Sequence, residues 1–475
     1  MIRFITGIIA LCSVITSAAQ TGVAINTNGA APAAPALLDV SSTSKGVLIP
    51  RMNSAQRKFI ASPEPGLMVY DLDKATFYFY DGGQWRPLSF TTENRLLLIE
   101  RKPTEPADAT CMLGADVAMF GTYAAASAPS EKVNNNWDQG TVYIYAQQNN
   151  TWNLQQKVSA TDGANGDNFG ESIALYNDLL VVGAPNATVS GLPGNGAAYV
   201  FKRSGQVWTQ VKKLLPPANE ANGSFGWDVS VYNGKILVGT PHKTVSGKSG
   251  AGAAYLYEPL NNDWQFTKEF KAATALQFGN FGKSVKLYGN DAVIGYPGYT
   301  HNNITTGSVQ VFTRTPPSVN WQEQSIITSE KSEGMGFGTS VDIYMDTIIV
   351  GAPYFTLDIS AEPAFQSGKY ELWQRINGTW TYNDFWAGKT EYQQMGTAVA
   401  VNGPYHFVSS PGPSTGIRDG KVDGMGPSFL REYRDVDQMI SIAYGANIAI
   451  SGNHFIIGAP AKNGGRGSIQ FGNMD

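Results

Sequence analysis

The sequence predicts an all-β protein: a seven-bladed β-propeller of four-stranded blades, preceded by a small N-terminal β-rich module. Three observations carry this reading. A glycine recurs at Gly114, Gly170, Gly226, Gly282, Gly338, Gly396 and Gly445, with spacings of 56, 56, 56, 56, 58 and 49 residues. A proline lies 15 residues after each of them, at Pro129, Pro185, Pro241, Pro297, Pro353, Pro411 and Pro460. The 475 residues include 52 glycines and 11% aromatics but only 15% charged residues, where ~25% charged is usual. That composition suits short strands joined by tight turns, and it excludes coiled coil, collagen and wholesale disorder.

Each repeat divides into four strands in order. An aromatic-glycine pair such as Phe169-Gly170 opens the unit, and a short apolar alternation after it forms the first strand. The second strand ends at Gly-x-Pro, as at Gly183-Ala184-Pro185. The third carries alternating aromatics, as from Gly140 to Tyr145, and the fourth begins at Trp152, Trp208, Trp264, Trp321 or Trp380. Period-two alternation with Gly, Asn and Asp turns favours strands over helices. Four strands per ~50-residue repeat is the propeller pattern. The first glycine permits positive φ or close backbone approach, the proline ends a strand where no ladder N–H is needed, and the tryptophan supplies an apolar plate between blades.

The last unit stops soon after Phe471 and lacks a fourth strand, while 18 residues before Gly114 the apolar run Leu96 to Ile99 occupies the vacant slot. A strand near 96–101 is therefore expected to complete the last blade and remove exposed sheet edges. The sixth unit is the most divergent: it has Met395-Gly396 and Pro411, takes Gly426 as the start of its third strand, and has no tryptophan.

The chain starts with a targeting pattern over residues 1–19: a basic Met1–Arg3, an apolar Phe4–Ile15 and the small residues Ser17, Ala18 and Ala19 before Gln20. This reads as a signal peptide for export, too short to span a bilayer. Cys12 falls inside it, so the exported chain keeps one cysteine, Cys111, and forms no internal disulfide. Residues 20–90 form a separate module, with Gly22–Pro35 rich in small residues and a hairpin expected around Asp81, Gly82 and Gly83. The propeller is assigned to residues 91–475.

The seven Phe-Gly-type and Gly-x-Pro motifs, with the linker from Ser159 to Gly170, resemble the FG-GAP repeat family, whose best-known relatives form the seven-bladed head of integrin α subunits. The resemblance implies an extracellular binding or adhesion propeller. Many integrin repeats carry acidic calcium loops between the first two strands; here that connection is short, as from Leu175 to Leu179, so calcium is not implied. The stretch from Leu38 to Met52, with Pro65 to Asp71 and Phe77 to Trp85, resembles the N-terminal module of secreted Bacteroidetes proteins and phage-tail-fibre-like segments. Such modules associate, which makes a homo-oligomer through this region a candidate.

Catalytic and cofactor signatures are not evident. The chain has no His-Glu-x-x-His and no Cys-x-x-Cys, and Gly247-Lys248-Ser249 lacks the earlier glycine of a phosphate loop. Asp162, Asn165 and Asp167 read as turn residues rather than calcium ligands. Asp116 and Asp228 read as solvated groups of a central channel. No catalytic residue, metal site or cofactor is expected, and a net charge of −4 gives no footprint for nucleic acid.

A ligand is expected on the face where the second-to-third connections open. The longest of these follow Pro353 and Pro411. The binding candidates are Tyr299 and His301 of the fourth unit, Tyr354, Phe355 and Phe365 of the fifth, Trp386 beyond it, and Asp419 and Lys421 of the sixth. Aromatics with a few polar partners suit an extracellular glycan or a protein ligand. A glycan-cleaving enzyme and a structural component of a surface fibre are the alternatives.

Overall fold

The computed structural model describes residues 22–73, 76–80, 82–83, 85–87, 99–101, 110–149, 151–261, 263–301, 304–315, 320–329, 336–357, 364–412, 420–426, 429–434 and 443–474. The targeting pattern over residues 1–19 and Asp419 lie outside them. The chain divides into two compact units, Met1–Glu93 and Asn94–Asp475.

In the first unit, Val23–Ile25 pairs in parallel with Leu38–Val40. A four-stranded sheet joins Arg51–Met52, Met68–Asp71, Thr76–Tyr80 and Trp85–Pro87 in that order. Between its first two strands a single helical turn, Ser54–Lys58, is closed by a capping box: Gln56 N–H donates to Asn53 Oδ1, and the Asn53 N–H donates to Gln56 Oε1. Arg57 is buried on this turn because its charge is matched. It pairs with Asp71 at 2.8 Å and stacks 3.7 Å over the Tyr78 ring.

The second unit is all-β. Among the described residues it contains seven four-stranded antiparallel sheets. The first six run in chain order: sheet one is Val117–Phe120, Tyr123–Ala128, Thr141–Gln148 and Thr151–Val158. Sheets two to six open with Ile173–Tyr176, Val229–Tyr232, Val285–Tyr288, Ser340–Tyr344 and Val399–Asn402. In sheet seven, Ile448–Ser451, His454–Ala459 and Ser468–Asn473 are joined by Ile99–Arg101, whose register sets Arg101 opposite Ile469 and Ile99 opposite Phe471. The first strand of sheet one packs beside those of sheets two and seven, and the same contact runs unbroken through the sheets between.

Packing between sheets explains the repeat. Phe169, Phe225, Phe281 and Phe337 are fully buried, and Phe169 meets the third-strand rings Tyr199 and Phe201 at 5.5 and 5.9 Å. Trp152, Trp208, Trp321 and Trp380 are buried and Trp264 is half-buried, each at the head of an outer strand. The Gly-x-Pro glycine is required by close approach. A Cβ on Gly183 would overlap the carbonyl oxygen of Gly226 in the next sheet. The same overlap recurs for Gly239 with Gly282, Gly295 with Gly338, Gly351 with Gly396, and Gly458 with Gly114.

The sixth unit departs from the sequence reading. Its third strand is Lys421–Gly426, so it starts after Gly420, and Gly426 ends it. The connection after Pro411 is correspondingly shorter than expected. Gly420 occupies the place held by Gly368 in sheet five, and Lys421 and Asp423 stand where that sheet has Lys369 and Glu371. The outer strand pairs of sheets one to five each carry a register shift, as at Ile144/Tyr145 and Leu372/Trp373, whereas sheet six pairs in continuous register. A bulge adds local twist, so the unit without a tryptophan also has the more regular outer hairpin.

Candidate functional site

Antiparallel order sorts the connections between two ends. Second-to-third links and the links from one sheet to the next open at one end, and the tight first-to-second and third-to-fourth turns open at the other. Five exposed aromatics fall on links of the first end. They are Trp137 of sheet one, Phe278 between sheets three and four, Tyr354 and Phe365 of sheet five, and Tyr392 between sheets five and six. The backbone ties two of them together, since the Tyr392 N–H donates to the Phe365 carbonyl at 2.7 Å.

The expected binding residues do not form one patch. Tyr354 and Phe365 are exposed as a loop site requires, at 47% and 52%. Phe355 is instead buried in the core of sheet five, where the Lys369 ammonium lies 4.5 Å over its ring. Trp386 is on the outer strand Thr379–Ala387, not in a connection, and stacks on Tyr370 at 5.4 Å. Tyr299 is half-buried against Tyr296, with centroids 5.7 Å apart. His301 ends the short strand Thr300–His301, which pairs with Ile304–Thr305. Lys421 is a strand residue held by Asp423 at 2.9 Å and Glu432 at 3.0 Å. The Asp162 region is turn chemistry: Asp162 pairs with Lys213 at 2.7 Å, Asp167 accepts the Ala164 N–H and Asn165 accepts the Trp137 N–H. Cys111 is buried, and burial pushes its thiol up.

A second feature is the cavity of about 600 Å³ lined by the first strands of all seven sheets. Each of these strands is an edge strand whose outward N–H groups need acceptors. Channel side chains supply them across the seams. Asp116 accepts the Ile173 N–H at 2.7 Å, and Asp228 accepts that of Val285 at 2.6 Å. Ser230 accepts that of Leu287 at 3.0 Å, and Asp342 that of Val401 at 2.8 Å. Asp116 and Asp228 are therefore structural ties rather than the freely solvated groups expected: Asp116 is 8% exposed.

Burial, with Asp228 nearby, pushes the Asp116 carboxyl up to about 7, against the N–H groups of Ile173 and Val117 and the charge of Lys286. Burial raises Asp228 and Asp342 as well. Burial alone would lower Lys286, but Asp342, Asp228 and Asp116 together raise it. With a folded pKa above the unfolded value, Asp116 holds an extra proton in the native state, so its contribution to stability falls as pH rises from about 4 through about 7. Unfolding free energy should thus decrease between pH 5 and pH 7 by up to ~2–3 kcal/mol. Asp116→Asn should flatten that slope in denaturant titrations at several pH values, and an unchanged slope would refute the assignment.

At the tight-turn end, Phe120, Tyr176, Tyr232, Tyr288 and Tyr344 follow one another around the cavity, with centroids 4.7, 4.9, 4.9 and 5.1 Å apart. Sequence reasoning missed this horseshoe. Its signal was present, because each ring lies six residues after its unit's first glycine. Asn402 takes that place in sheet six and Ser451 in sheet seven, so the horseshoe is open there.

The sheets and their seams define an all-β, propeller-like class of protein built from repeated four-stranded units. Three stretches, residues 152–201, 208–257 and 321–362, match the FG-GAP repeat, which together with the all-β sheets supports an FG-GAP-type, propeller-like architecture. Residues 24–98 match the phage tail like trimerisation region. Among curated proteins, no sequence matches the chain. Among the described residues, no helix is long and apolar enough to cross a membrane, and no group of His, Cys, Asp and Glu is placed to hold a metal ion.

Proposed function

We propose that the chain is an exported, non-catalytic binding or adhesion protein. In this reading Asn94–Asp475 is a closed seven-bladed propeller, and its link end captures an extracellular glycan or protein. The exposure of Trp137, Phe278, Tyr354, Phe365 and Tyr392 on links of one end, with Tyr392 tied to Phe365, carries this reading. Exposed aromatics offer large contact area at low entropic cost, as hot spots and sugar platforms do. The FG-GAP matches, the unbroken succession of first-strand contacts and the pairing of Ile99–Arg101 into sheet seven support the closed ring. The apolar leader supports export to the cell surface or beyond.

The N-terminal unit serves assembly in the same reading. Val23, Ile25, Leu37, Leu38, Leu48 and Phe59 are exposed in one copy, Phe59 at 84%. Such density on a small unit marks an interface, and the trimerisation match makes identical copies its partners. A trimer would present three binding ends at once and gain avidity.

A glycan array and a cell-surface binding assay, run with the wild type and with a combined Tyr354→Ala, Phe365→Ala and Tyr392→Ala variant, test the site. The expected result is a ~10-fold or greater loss of binding with an unchanged melting temperature. A ligand whose affinity survives all three changes would place the site elsewhere. Light scattering on the full chain and on a chain lacking residues 20–90 should give a trimer and a monomer.

A further inference from the structure

We propose that the cavity lined by the seven first strands is a binding site for an organic cation bearing a primary ammonium, which enters across the tyrosine horseshoe. The tyrosine rim through which it enters lies at the end opposite the aromatic links.

The lining is negative. Four carboxylates, Asp116, Glu171, Asp228 and Asp342, face two ammonium groups, Lys283 and Lys286, a formal excess of two negative charges. A low-dielectric wall focuses such a field and favours a cation. The site already stabilises an ammonium: the three aspartates hold Lys286 protonated, yet no ion pair within 4.0 Å is formed by its Nζ among the described residues. Burial, with a smaller contribution from the Asp228 charge, raises the Asp116 carboxyl in the same cavity.

The charge is also one-sided. Every charged lining residue comes from sheets one to five, while sheets six and seven contribute Thr397, Ala398, Ala400, Asn402, Asn447 and Ala449 among others. Among the described residues, that wall carries no charged side chain. The gap in the horseshoe lies over the same two sheets, so the opening adjoins the uncharged wall. Around the remainder of the rim, four tyrosines and Phe120 present ring faces and edges to an entering cation, and aromatic faces attract ammonium groups.

Calorimetric titration of the full chain decides this with three probes of matched length: cadaverine, pentanol and pentanoate. Cadaverine should bind at low-millimolar concentration or below, while pentanol and pentanoate should not. Cadaverine affinity should rise from pH 6 to pH 8 as the Asp116 proton leaves, with Asp228, Asp342, Glu171, Lys283 and Lys286 as the other charges facing it. Asp342→Asn should weaken binding by ~10-fold, and Lys286→Met should strengthen it. Asn402→Lys sets a fixed cation at the half-exposed rim and should abolish binding with the fold intact by circular dichroism. Equal binding of pentanoate, absence of cadaverine binding to the wild type, or indifference to Asn402→Lys would overturn the proposal.

Discussion

Gly458→Ala should abolish soluble expression or lower stability by at least ~3 kcal/mol, more than a single methyl costs elsewhere, because overpacking against backbone has no side chain to yield. The added Cβ would overlap the Gly114 carbonyl oxygen and lie 3.0 Å from its carbon, and both strands are fixed by their own hydrogen bonds. Gly445 N–H donates to Gly458 O at 2.8 Å, and Gly458 N–H donates to Asn447 O at 3.0 Å. Gly121→Ala is the control. Its Cβ meets nothing within 4 Å, and its φ of +58° adds only conformational strain, about 1–2 kcal/mol. Denaturant unfolding of the two variants separates seam packing from backbone conformation. Equal effects would show that the seam does not require glycine.

Lys369→Met should cost ~3–5 kcal/mol although it keeps the side chain's length and increases its hydrophobicity. Lys369 and Glu371 lie on one face of the third strand of sheet five, with side chains 0% and 1% exposed. Their charged atoms are 2.9 Å apart, Ser329 bridges them, and Trp373 Nε1 donates to the second Glu371 oxygen at 3.2 Å. Methionine leaves the carboxylate buried without its counter-charge, and that uncompensated ion accounts for the cost. The double variant Lys369→Met with Glu371→Gln should regain most of the loss, since the amide can still accept from Trp373 without carrying charge. If the single and double variants melt alike, the pair is not electrostatically coupled.

The two experiments address opposite kinds of information in the chain. The glycine series and its prolines were legible because a seam repeated from sheet to sheet imposes the same steric demand on each unit. The buried tryptophans and the Phe-Gly phenylalanines were legible for the same reason. The loop site was only partly legible. Tyr354 and Phe355 are adjacent in the chain, yet one is exposed and the other buried, because a link residue's environment depends on which strand end it folds over. Trp386 read as part of a connection and is in a strand, with its ring stacked on Tyr370. Lys421 read as a loop cation because Gly426 was taken as the start of a strand that Gly420 precedes.

The sequence by itself determined the all-β class of fold and the recurrence of four-stranded units, since local periodicity and steric need are written at nearly fixed intervals. Only the tertiary structure decided which acids share a cavity. Asp116, Asp228, Lys286 and Asp342 are separated by more than a repeat in places, and nothing local distinguishes them from solvated charges. They meet because the first strands of successive sheets are brought side by side, and each carboxylate is drawn to the unpaired N–H groups of its neighbour's edge. Burial there changes their ionisation, and that is a property of the packed first strands of successive sheets rather than of any single unit.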